Sequence, residues 1–376
     1  MSVDVAIIGG GIGGLATAVG LNRAGIDAHV FEQTEAYGDV GGHLTIDDAA
    51  IAVLAGFGLD GAFRDMSCVL DGIELKDLGS GKVMAHFPHP DLAAYGVDDD
   101  SRTGDRSVYA FQRADFLAML VGAIPAENIH TGHRLTSVDG TADGATASFE
   151  NGAQVMAQIV LAADGVRSQV RAGFDDSAAV PADWTILRTL CPADVLPADL
   201  PNDRMRFWNG AEFGQPPALM THMLTVPVRG NEFISLDLQF VGGDQLEGCD
   251  PRDVPIDRVM ARYPDSMDPV VTAMIEARVE PIAAYPIHDR PVAEKWVDQR
   301  IAIVGDAAHS MRPSLGQGAC QSLADARQLV ESLTEHGLTN DALAHYESIR
   351  KPYVGMIVEA AKKAPMGPPK QAPDGD

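Results

Sequence analysis

The sequence is short of positive charge. Its 28 Lys and Arg residues stand against 53 Asp and Glu residues, which gives a formal net charge of −25 over 376 residues. A chain this acidic is not expected to bind nucleic acid or an anionic membrane surface, because both are themselves negatively charged. It also lacks an apolar run of the roughly 20 residues that a membrane-spanning helix needs. Nucleic acid and membrane are therefore not predicted as partners.

Cysteine is scarce and scattered. The four cysteines are Cys68, Cys191, Cys249 and Cys320, and no Cys-x-x-Cys pair occurs. This spacing excludes a dithiol–disulfide redox centre and a zinc ribbon, so no metal site is predicted, and it fits a reducing compartment. The N-terminus enters an apolar strand without a preceding basic segment or small-residue cleavage site. We therefore expect no secretory signal and a cytoplasmic protein.

The first strong motif is a glycine-rich turn. The stretch "VDVAIIGGGIGGLATAVGLNRAGIDAHVFEQ" (3–33) predicts a strand, a turn, a small-residue helix and a second strand. In this turn Gly9 permits the tight bend, Gly11 lets the backbone approach a pyrophosphate, and Gly14 lets the helix pack close to the strand. Glu32 ends the second strand, where an acid binds ribose hydroxyls. The unit predicts dinucleotide binding with an unphosphorylated adenosine ribose.

Two later strands also end on Asp and Gly. In "LAADGVRSQVR" (161–171), Asp164 is followed by Arg167 and Arg171, and taken alone this pattern also fits a structural turn. In "RIAIVGDAAHSMRPSLGQG" (300–318), Asp306 follows the strand, and a loop leads into a helix that begins near Gly318. Free N–H groups and the positive dipole end of that helix suit an anion or an electron-rich ring. An ordinary strand–helix turn would give the same pattern.

The pattern of apolar and polar residues changes between these motifs. From about 184 to 242 it contains "WTILRTL", "RMRFWNG", "LMTHMLTVPV" and "FISLDLQFV", in which apolar and polar residues alternate. This alternation predicts a mostly antiparallel sheet. The helix-like stretch "DRVMARYPDSMDPVVTAMIEA" (257–277) follows, and the chain then returns to the strand at 300–304. The order indicates a nucleotide-binding fold that is interrupted by an inserted sheet layer.

The ordered motifs together resemble the p-hydroxybenzoate hydroxylase-like family of single-component FAD-dependent aromatic hydroxylases. The resemblance extends to "FQRADFLAML" (111–120), "DRPVAEKW" (289–296) and "YESIRKP" (346–352), and so covers nearly the whole chain. It implies an α/β fold, in which a Rossmann-like FAD-binding domain carries an inserted, mostly antiparallel substrate-binding sheet. The expected FAD-binding domain comprises 1–75, 106–175 and 291–362, and the substrate domain 76–105 and 176–290. The tail at 363–376 is expected to be disordered.

The resemblance implies a role for each matching residue. Residues of the glycine turn and Glu32 would hold the ADP half of FAD, Arg113 the pyrophosphate side, and Asp306 the ribityl chain. Asp164 and Arg167 would contact FAD and the pyridine nucleotide. The helix N-terminus would face the N1–C2=O edge of the isoalloxazine and stabilise the anionic reduced flavin. The residues expected to line that ring system are Pro313, Gly316, Gln317 and Gly318.

The chain also departs from the family pattern. Gln33 and Gly38 stand where the family often has arginine, so the adenine side would be built differently. His43 stands where a small residue is usual, and it either faces the flavin or substrate or lies at the surface. The catalytic candidates are His222, His43, Arg188 and Pro313. His222 precedes Pro227 on a strand that faces the substrate in relatives, and it is either a base or a half-buried polar contact. Arg188, Arg206 and Trp208 would clamp or stack on an aromatic acid, or else lie at a solvated sheet edge.

The implied activity is hydroxylation of a small aromatic or polycyclic substrate by O2 through a flavin C4a-hydroperoxide. The cofactor is FAD, and NADH or NADPH serves as a transient reductant, since no second Gly-x-Gly-x-x-Gly motif occurs. An alkene epoxidase or an isoprenoid reductase on the same fold is the alternative. A non-catalytic carrier of prenylated proteins is disfavoured, because both Asp-Gly and Gly-Asp motifs are present. The protein is expected to be a monomer or a homodimer.

Overall fold

The computed structural model describes residues 1–38, 42–89, 92–97, 107–173, 175–210, 223–241, 246–263 and 266–364. Their strands form three sheets, of eight, seven and three strands. Among these residues no helix combines the length and the apolar character that crossing a membrane would require. The tail predicted to be disordered lies outside the described residues apart from its first two positions. The helices are α1 (Ile12–Arg23), α2 (Asp48–Gly56), α3 (Asp60–Met66), α4 (Arg113–Gly122), α5 (Ile256–Met260), α6 (Pro269–Glu276), α7 (Asp306–His309), α8 (Gly318–His336) and α9 (Asn340–Lys363).

The first sheet holds the nucleotide-binding core. Its strands are β1 (Ser2–Ile8), β2 (Ala28–Phe31), β8 (Ile129–His130), β9 (Leu135–Gly140), β10 (Ala145–Phe149), β11 (Gln154–Ala162), β17 (Val297–Asp298) and β18 (Ile301–Ile303). The order is β17-β18-β11-β1-β2-β8, and β10 pairs with both β11 and β9. The contacts of β1 with β2 and β11, and of β11 with β18, are parallel. The carboxyl ends of these strands therefore meet at one edge of the sheet, where ligands of such folds bind.

The second sheet is the inserted layer. Its strands are β5 (Ile73–Asp77), β6 (Val83–Phe87), β12 (Val180–Pro192), β13 (Met205–Asn209), β14 (Met223–Val228), β15 (Phe233–Val241) and β16 (Ala283–Asp289). In the order β16-β12-β15-β14-β13-β5-β6, every pairing is antiparallel except that of β13 with β5. The predicted antiparallel sheet is confirmed. The predicted domain boundary between 75 and 76 falls inside β5, and the domain division remains a prediction.

A third, small sheet joins the two layers. It consists of β3 (His43–Asp47), β7 (Val108–Gln112) and β4 (Cys68–Leu70), with β7 in the centre and both pairings antiparallel. Leu70 and Ala110 of this sheet pack on Val226 of β14 in one small apolar cluster. No motif in the sequence predicted this sheet. The sheet places the start of β3 against the inserted layer.

The two faces of the inserted sheet have different neighbours. Directly paired residues share a face, and residues two apart along a strand share it as well. Leu187, Leu236 and Trp208 lie on one face, in an apolar cluster with residues of α5 and α6. Arg188 pairs with Asp237 on the other face, which is the face that the small sheet covers. The helix-like stretch of the sequence forms two helices, α5 and α6, rather than one.

Candidate active site

The turn after β1 requires glycine at two positions for reasons of packing. Gly9 has φ +107°, and a Cβ there would overlap the carbonyl of Ala163. A Cβ at Gly14 would overlap the carbonyl oxygen of Gly9, so glycine lets α1 lie against β1. Gly11 differs, because its φ is −79° and a Cβ there would meet no atom within 4 Å. The protein itself does not require glycine at position 11, which leaves that space to a ligand.

A cleft of about 690 Å³ opens at this turn. It brings together residues that lie far apart in the sequence, from β1, β2, α4 and the segment after β11. Of the residues predicted from the sequence, those that line it are Gly9, Gly11, Glu32, Arg113, Asp164 and Arg167. Gly14 supports the turn from behind.

Glu32 is held at the end of β2 by backbone donors. Its Oε2 accepts the N–H of Gly10 at 2.7 Å, and its Oε1 accepts the N–H of Thr34 at 2.9 Å. Tyr37 lies beside it, and no described residue hydrogen-bonds the buried Tyr37 hydroxyl. Burial raises the pKa of the Tyr37 phenol, and the charge of Glu32 raises it further. A neutral hydroxyl therefore lies beside Glu32 in the cleft, a feature that no sequence motif indicated.

An arginine from a distant segment lies beside Gln33, at the part of the cleft predicted to hold adenine. Arg134, in the segment between β8 and β9, lines the cleft. Its Nη1 donates to Oε1 of Gln33 at 2.6 Å. Gln33 thus recruits a cation from a distant segment to the place where arginine was expected, a contact that only the fold reveals.

The Asp-Gly segment supplies a carboxylate to the cleft. Oδ2 of Asp164 accepts the N–H of Gln169 at 2.8 Å, whereas Oδ1 is buried and has no hydrogen-bond partner among the described residues. Burial raises the pKa of this carboxyl. Arg167 is exposed at the rim, with Nη2 at 3.4 Å from Nε2 of His288. Arg171 is fully buried and donates to the carbonyls of α7, so its role is structural.

Arg113, at the first position of α4, connects the cleft with the second loop region. Burial lowers the pKa of its guanidinium, and the charges of Asp306 and Glu32 act in the opposite direction. Asp306 is the first residue of α7 and is in contact with solvent. Partial desolvation by the surrounding protein raises the pKa of its carboxyl, and the charges of His309 and Arg113 act in the opposite direction. The opposite charges of Asp306 and Arg113 therefore attract each other in the region predicted to bind the ribityl chain.

The loop before α8 is anchored to β3. Pro313 begins a short 3₁₀ turn that ends at Gly316, whose φ is +64°. A Cβ at Gly316 would lie 2.8 Å from Oγ1 of Thr45. Gln317 donates from Nε2 to Oδ2 of Asp47 at 3.1 Å, and a Cβ at Gly318 would meet no atom within 4 Å. These four predicted residues lie together in the loop and the first position of α8, and they do not line the 690 Å³ cleft.

A buried polar chain supports both loops from behind, and the sequence analysis did not foresee it. Asp325 of α8 accepts from the N–H of Gly305 at 3.0 Å, from Nε of Arg350 at 2.7 Å, and lies 2.6 Å from Nε2 of His309. Arg350 donates to Oε1 of Gln321 at 2.7 Å. Gln321 in turn donates to Oε1 of Gln317 at 2.9 Å. His309 is thus a structural partner of Asp325 rather than a group presented to the cleft.

A set of polar side chains lies on the face of the inserted sheet that meets the small sheet. We call these five residues the polar strip: Arg188, Ser235, Asp237, Gln239 and Tyr285. Nη2 of Arg188 donates to Oδ2 of Asp237 at 3.2 Å, and its guanidinium carbon lies 5.4 Å from the Tyr285 ring centroid. Burial opposes ionisation of Asp237, but Arg188 and His43 outweigh it and lower the pKa of this carboxyl.

His43 contacts the polar strip from the first residue of β3. It is buried, with 7% of its surface exposed, so the alternative of a surface histidine is excluded. Its Nδ1 lies 3.3 Å from Oγ of Ser235 and 3.5 Å from Oδ1 of Asp237. Its backbone N–H donates to Oγ of Ser235 at 3.2 Å. β3 and the inserted sheet therefore meet through a polar contact.

Three other predicted residues behave differently. Arg206 and Trp208 lie on the opposite face, where Arg206 pairs with Glu74 at 2.9 Å and Trp208 is fully buried. Neither clamps nor stacks on a ligand in the way suggested from the sequence, because the strand register points both toward the helical layer. His222 lies outside the described residues.

The comparisons with known proteins agree with this geometry. The model of a family described as "FAD binding domain" matches residues 2–361. The chain belongs to this FAD-binding family. A 3-amino-4-hydroxybenzoate 2-monooxygenase of Streptomyces cremeus is 27% identical over 96% of this chain and 86% of its own length. The chloroplastic zeaxanthin epoxidase of Solanum lycopersicum is also 27% identical over 96% of this chain, which spans 54% of that relative. A variant of Klebsiella pneumoniae HpxO, solved in complex with FAD, has 26% identity and a TM-score of 0.78, and the match covers 96% of this chain and 89% of that one.

The residues present fit FAD. The cleft offers an unpartnered buried carboxylate oxygen of Asp164, an unpartnered hydroxyl of Tyr37, and open space above Gly11. Polar groups of this kind require a partner when buried, and the hydroxyls and pyrophosphate of FAD would supply it. The predictions of the α/β fold, of membership in the flavin-dependent hydroxylase family and of FAD as cofactor are confirmed. The chain is therefore an FAD-dependent monooxygenase.

Proposed function

We propose that this monooxygenase hydroxylates a small aromatic compound that carries a hydroxyl or carboxylate group. The substrate would lie between the polar strip and the loop formed by Pro313, Gly316 and Gln317. The observation that supports this proposal is the polar strip, because an ion pair and hydrogen-bonding groups lie on the sheet face turned toward the flavin domain. A purely hydrocarbon substrate would leave Nε of Arg188 and Oε1 of Gln239 without the hydrogen-bond partners that they lack among the described residues, which costs binding free energy.

The relatives support the same class of substrate. The Streptomyces relative is named for a hydroxylated aminobenzoate, an aromatic acid with a phenolic hydroxyl. The epoxidase relative supports the alternative of alkene epoxidation. The polar strip favours the aromatic acid, since a long isoprenoid chain offers no hydrogen-bond partner to Nε of Arg188 or Oε1 of Gln239.

Several predicted residues, together with Tyr37, have a defined task in this proposal. Glu32, Tyr37 and Asp164 would bind hydroxyls of the cofactor, and Arg113 would neutralise its phosphates. Pro313, Gly316, Gln317 and Gly318 would border the ring system, and Arg188 would hold the anionic group of the substrate. Arg167 at the rim would meet NADH or NADPH. The flavin, when bound, supplies electron transfer from the reduced nicotinamide and activation of O2. The protein positions the substrate and excludes water.

The test begins with the colour of the purified protein. We expect flavin absorbance, and oxidation of NADH or NADPH that a hydroxybenzoate accelerates, with one atom of ¹⁸O2 incorporated into the product. A panel of hydroxybenzoates, aminohydroxybenzoates and hydroxypyridines, with an isoprenoid alkene as comparison, would identify the class. Flavin bands with stimulation by the alkene alone would favour the epoxidase. A colourless protein that does not bind added FAD would refute the proposal.

We propose further that the protein acts in the cytoplasm as a monomer or homodimer. All four cysteines carry free thiols, which suits a reducing compartment. Size-exclusion chromatography with light scattering measures the oligomeric state, and a tetramer or larger assembly would contradict this part of the proposal.

A further inference from the structure

His43 lies where β3 meets the inserted sheet, and polar groups of the described residues contact only one of its two ring nitrogens, Nδ1. Nδ1 of His43 faces both Ser235 and Asp237. No hydrogen bond from a described residue to Nε2 is found, and the side chain keeps 8% of its surface exposed. A carboxylate on the Nδ1 side stabilises an imidazole that has accepted a proton at Nε2, which is the arrangement of a general base.

The carboxylate itself is fixed. Asp237 lies almost fully buried on β15, and Arg188 on the neighbouring strand binds its second oxygen. Because the two residues are directly paired, the sheet register sets their separation. The Asp237 carboxylate stays ionised, and it therefore provides a permanent negative charge next to His43.

The surroundings of this pair contain polar atoms that lack protein partners. Nε of Arg188 is buried without a hydrogen-bond partner among the described residues, and so is Oε1 of Gln239, two residues along β15 from Asp237. One is a donor and the other an acceptor, on the same face of the sheet. Buried groups of this kind require partners. A ligand with an oxygen substituent and a hydrogen-bond donor would satisfy both.

We propose that His43 is the general base of the reaction and that Asp237 is its positioning residue. This inference rests on the proposed function. The phenolic O–H bond of the bound substrate breaks, and its proton forms a bond with Nε2 of His43. The resulting imidazolium is stabilised by Asp237, and Nε of Arg188 donates to an oxygen of the substrate. The ring carbon ortho or para to the phenolate oxygen is thereby made electron-rich, as attack on an activated oxygen requires.

Among the residues that the structure describes, few charged or titratable groups face His43. Asp237 faces it from β15 and Arg188 from β12, and Tyr285 of β16 and Arg113 of α4 lie beyond Arg188. Two cations and one carboxylate favour binding of a phenolate over the neutral phenol. Substrate ionisation at this site should therefore occur at a lower pH than in water.

The test measures ionisation of a bound phenol directly, without turnover. The probe is 4-hydroxy-3-nitrobenzoate, whose phenolate absorbs in the visible, added to the FAD-loaded wild type and to H43Q, H43A and D237N. We expect the wild type to bind the probe as phenolate and to lower its apparent pKa. H43Q and H43A should bind the probe with a clearly higher apparent pKa than the wild type, although the retained Arg188 and Arg113 should still hold it below the value in water, and D237N should fall between these variants and the wild type. A wild type that does not bind the probe, or binds it without changing its ionisation, would overturn the proposal.

Kinetics provide the second readout. With the best substrate from the panel, H43A should reduce kcat about 100-fold below the pKa of the phenol, since general-base catalysis contributes roughly 10²–10⁴-fold. The loss should shrink above that pKa, where water has already ionised the substrate, and added imidazole should partly restore H43A. The matched control is H86A, since His86 lies 3.7 Å from Glu74 at the far edge of the same sheet and is largely exposed.

The outcomes separate this inference from the proposed function. If wild-type protein is yellow and an aromatic acid stimulates nicotinamide oxidation, the proposed function holds. If H43A then keeps the wild-type pH profile and probe ionisation, the base assignment alone is wrong. If H43A lacks FAD while H43Q retains it, H43Q alone decides the question.

Discussion

Replacing Gly11 or Gly14 with alanine adds the same methyl group at two neighbouring points of one turn, with opposite expected consequences. At Gly14 the methyl group would overlap the carbonyl oxygen of Gly9, so α1 and β1 would have to separate. At Gly11 it would meet no protein atom within 4 Å, and φ of −79° suits alanine. We expect Gly14→Ala to destabilise the apoprotein, and Gly11→Ala to weaken FAD binding while leaving the fold intact.

The magnitudes follow from these contacts. Forcing extra atoms into a packed core costs about 1–3 kcal/mol, and overlap with the backbone places Gly14→Ala near 3 kcal/mol. Alanine in place of glycine at a helix N-cap costs at most about 1 kcal/mol at position 11. Unfolding entropy of about 2.1 cal/mol/K per residue gives about 0.8 kcal/mol/K for this chain. The expected falls in apoprotein Tm are thus about 4 °C for Gly14→Ala and about 1 °C for Gly11→Ala.

The assay is thermal unfolding with and without FAD. At an FAD concentration of 100 times the wild-type Kd, the cofactor should stabilise the wild type by about 2.7 kcal/mol, or about 3 °C. We expect Gly11→Ala to raise the Kd about 100-fold, which reduces this stabilisation to about 0.4 kcal/mol at the same concentration. Wild-type FAD affinity in Gly11→Ala would refute the assignment of this space to the cofactor. An apoprotein of Gly11→Ala as unstable as that of Gly14→Ala would refute the packing argument.

Two further predictions concern buried polar groups. Burial opposes ionisation of Asp325, but His309 and Arg350 outweigh it and lower its pKa from 3.8 to about 2. This carboxylate contributes about 2 kcal/mol that is fully present above about pH 4 and is lost as the pH falls toward 2. Asp325→Asn should cost about 3 kcal/mol at pH 7, should flatten the acid branch of the Tm–pH curve and should weaken FAD binding. The exposed control Glu335→Gln should stay within about 0.5 kcal/mol, and an equally steep acid branch in Asp325→Asn would contradict the assignment. Tyr37→Phe removes a buried hydroxyl without a protein partner, so the apoprotein should keep or gain stability, while FAD affinity measured by flavin fluorescence falls about fivefold, the equivalent of one neutral hydrogen bond of about 1 kcal/mol. Unchanged FAD affinity in Tyr37→Phe would show that the hydroxyl does not contact the cofactor.

The sequence predicted the parts of the site that local chain geometry determines. Gly9 must adopt a positive φ, and Glu32 must end a strand, so both leave a trace in a short window of sequence. The strands of the inserted sheet were predictable for the same reason, from alternation along each strand. Their pairing was not, because the partner of Arg188 lies 49 residues away along the chain.

The missed features all depend on strand register or on distant contacts. Arg206, Trp208 and Arg188 all lie on strands of alternating sequence, which does not show which face of the sheet each occupies. Strand register places the first two on the face toward the helices and Arg188 on the face toward the flavin domain. Tyr37 is recognisable only once it is seen beside Glu32. The role of Asp325 depends on three segments meeting behind the flavin loops. No local pattern encodes such meetings, because each partner alone is an ordinary polar residue.

The short strand β3 connects the two halves of the proposed chemistry. Alternate residues of a strand share a face, so His43, Thr45 and Asp47 lie along one side of β3. They contact, in order, the polar strip, Gly316 and Gln317. Gln317 accepts a hydrogen bond from Gln321, which accepts one from Arg350, and Arg350 donates to Asp325. Hydrogen-bonded groups therefore connect the inserted sheet with the loop before α8 and the turn at Gly305. If substrate binds at the polar strip as proposed, a shift of β3 there would act on the loop proposed to border the flavin, because the same strand contacts both.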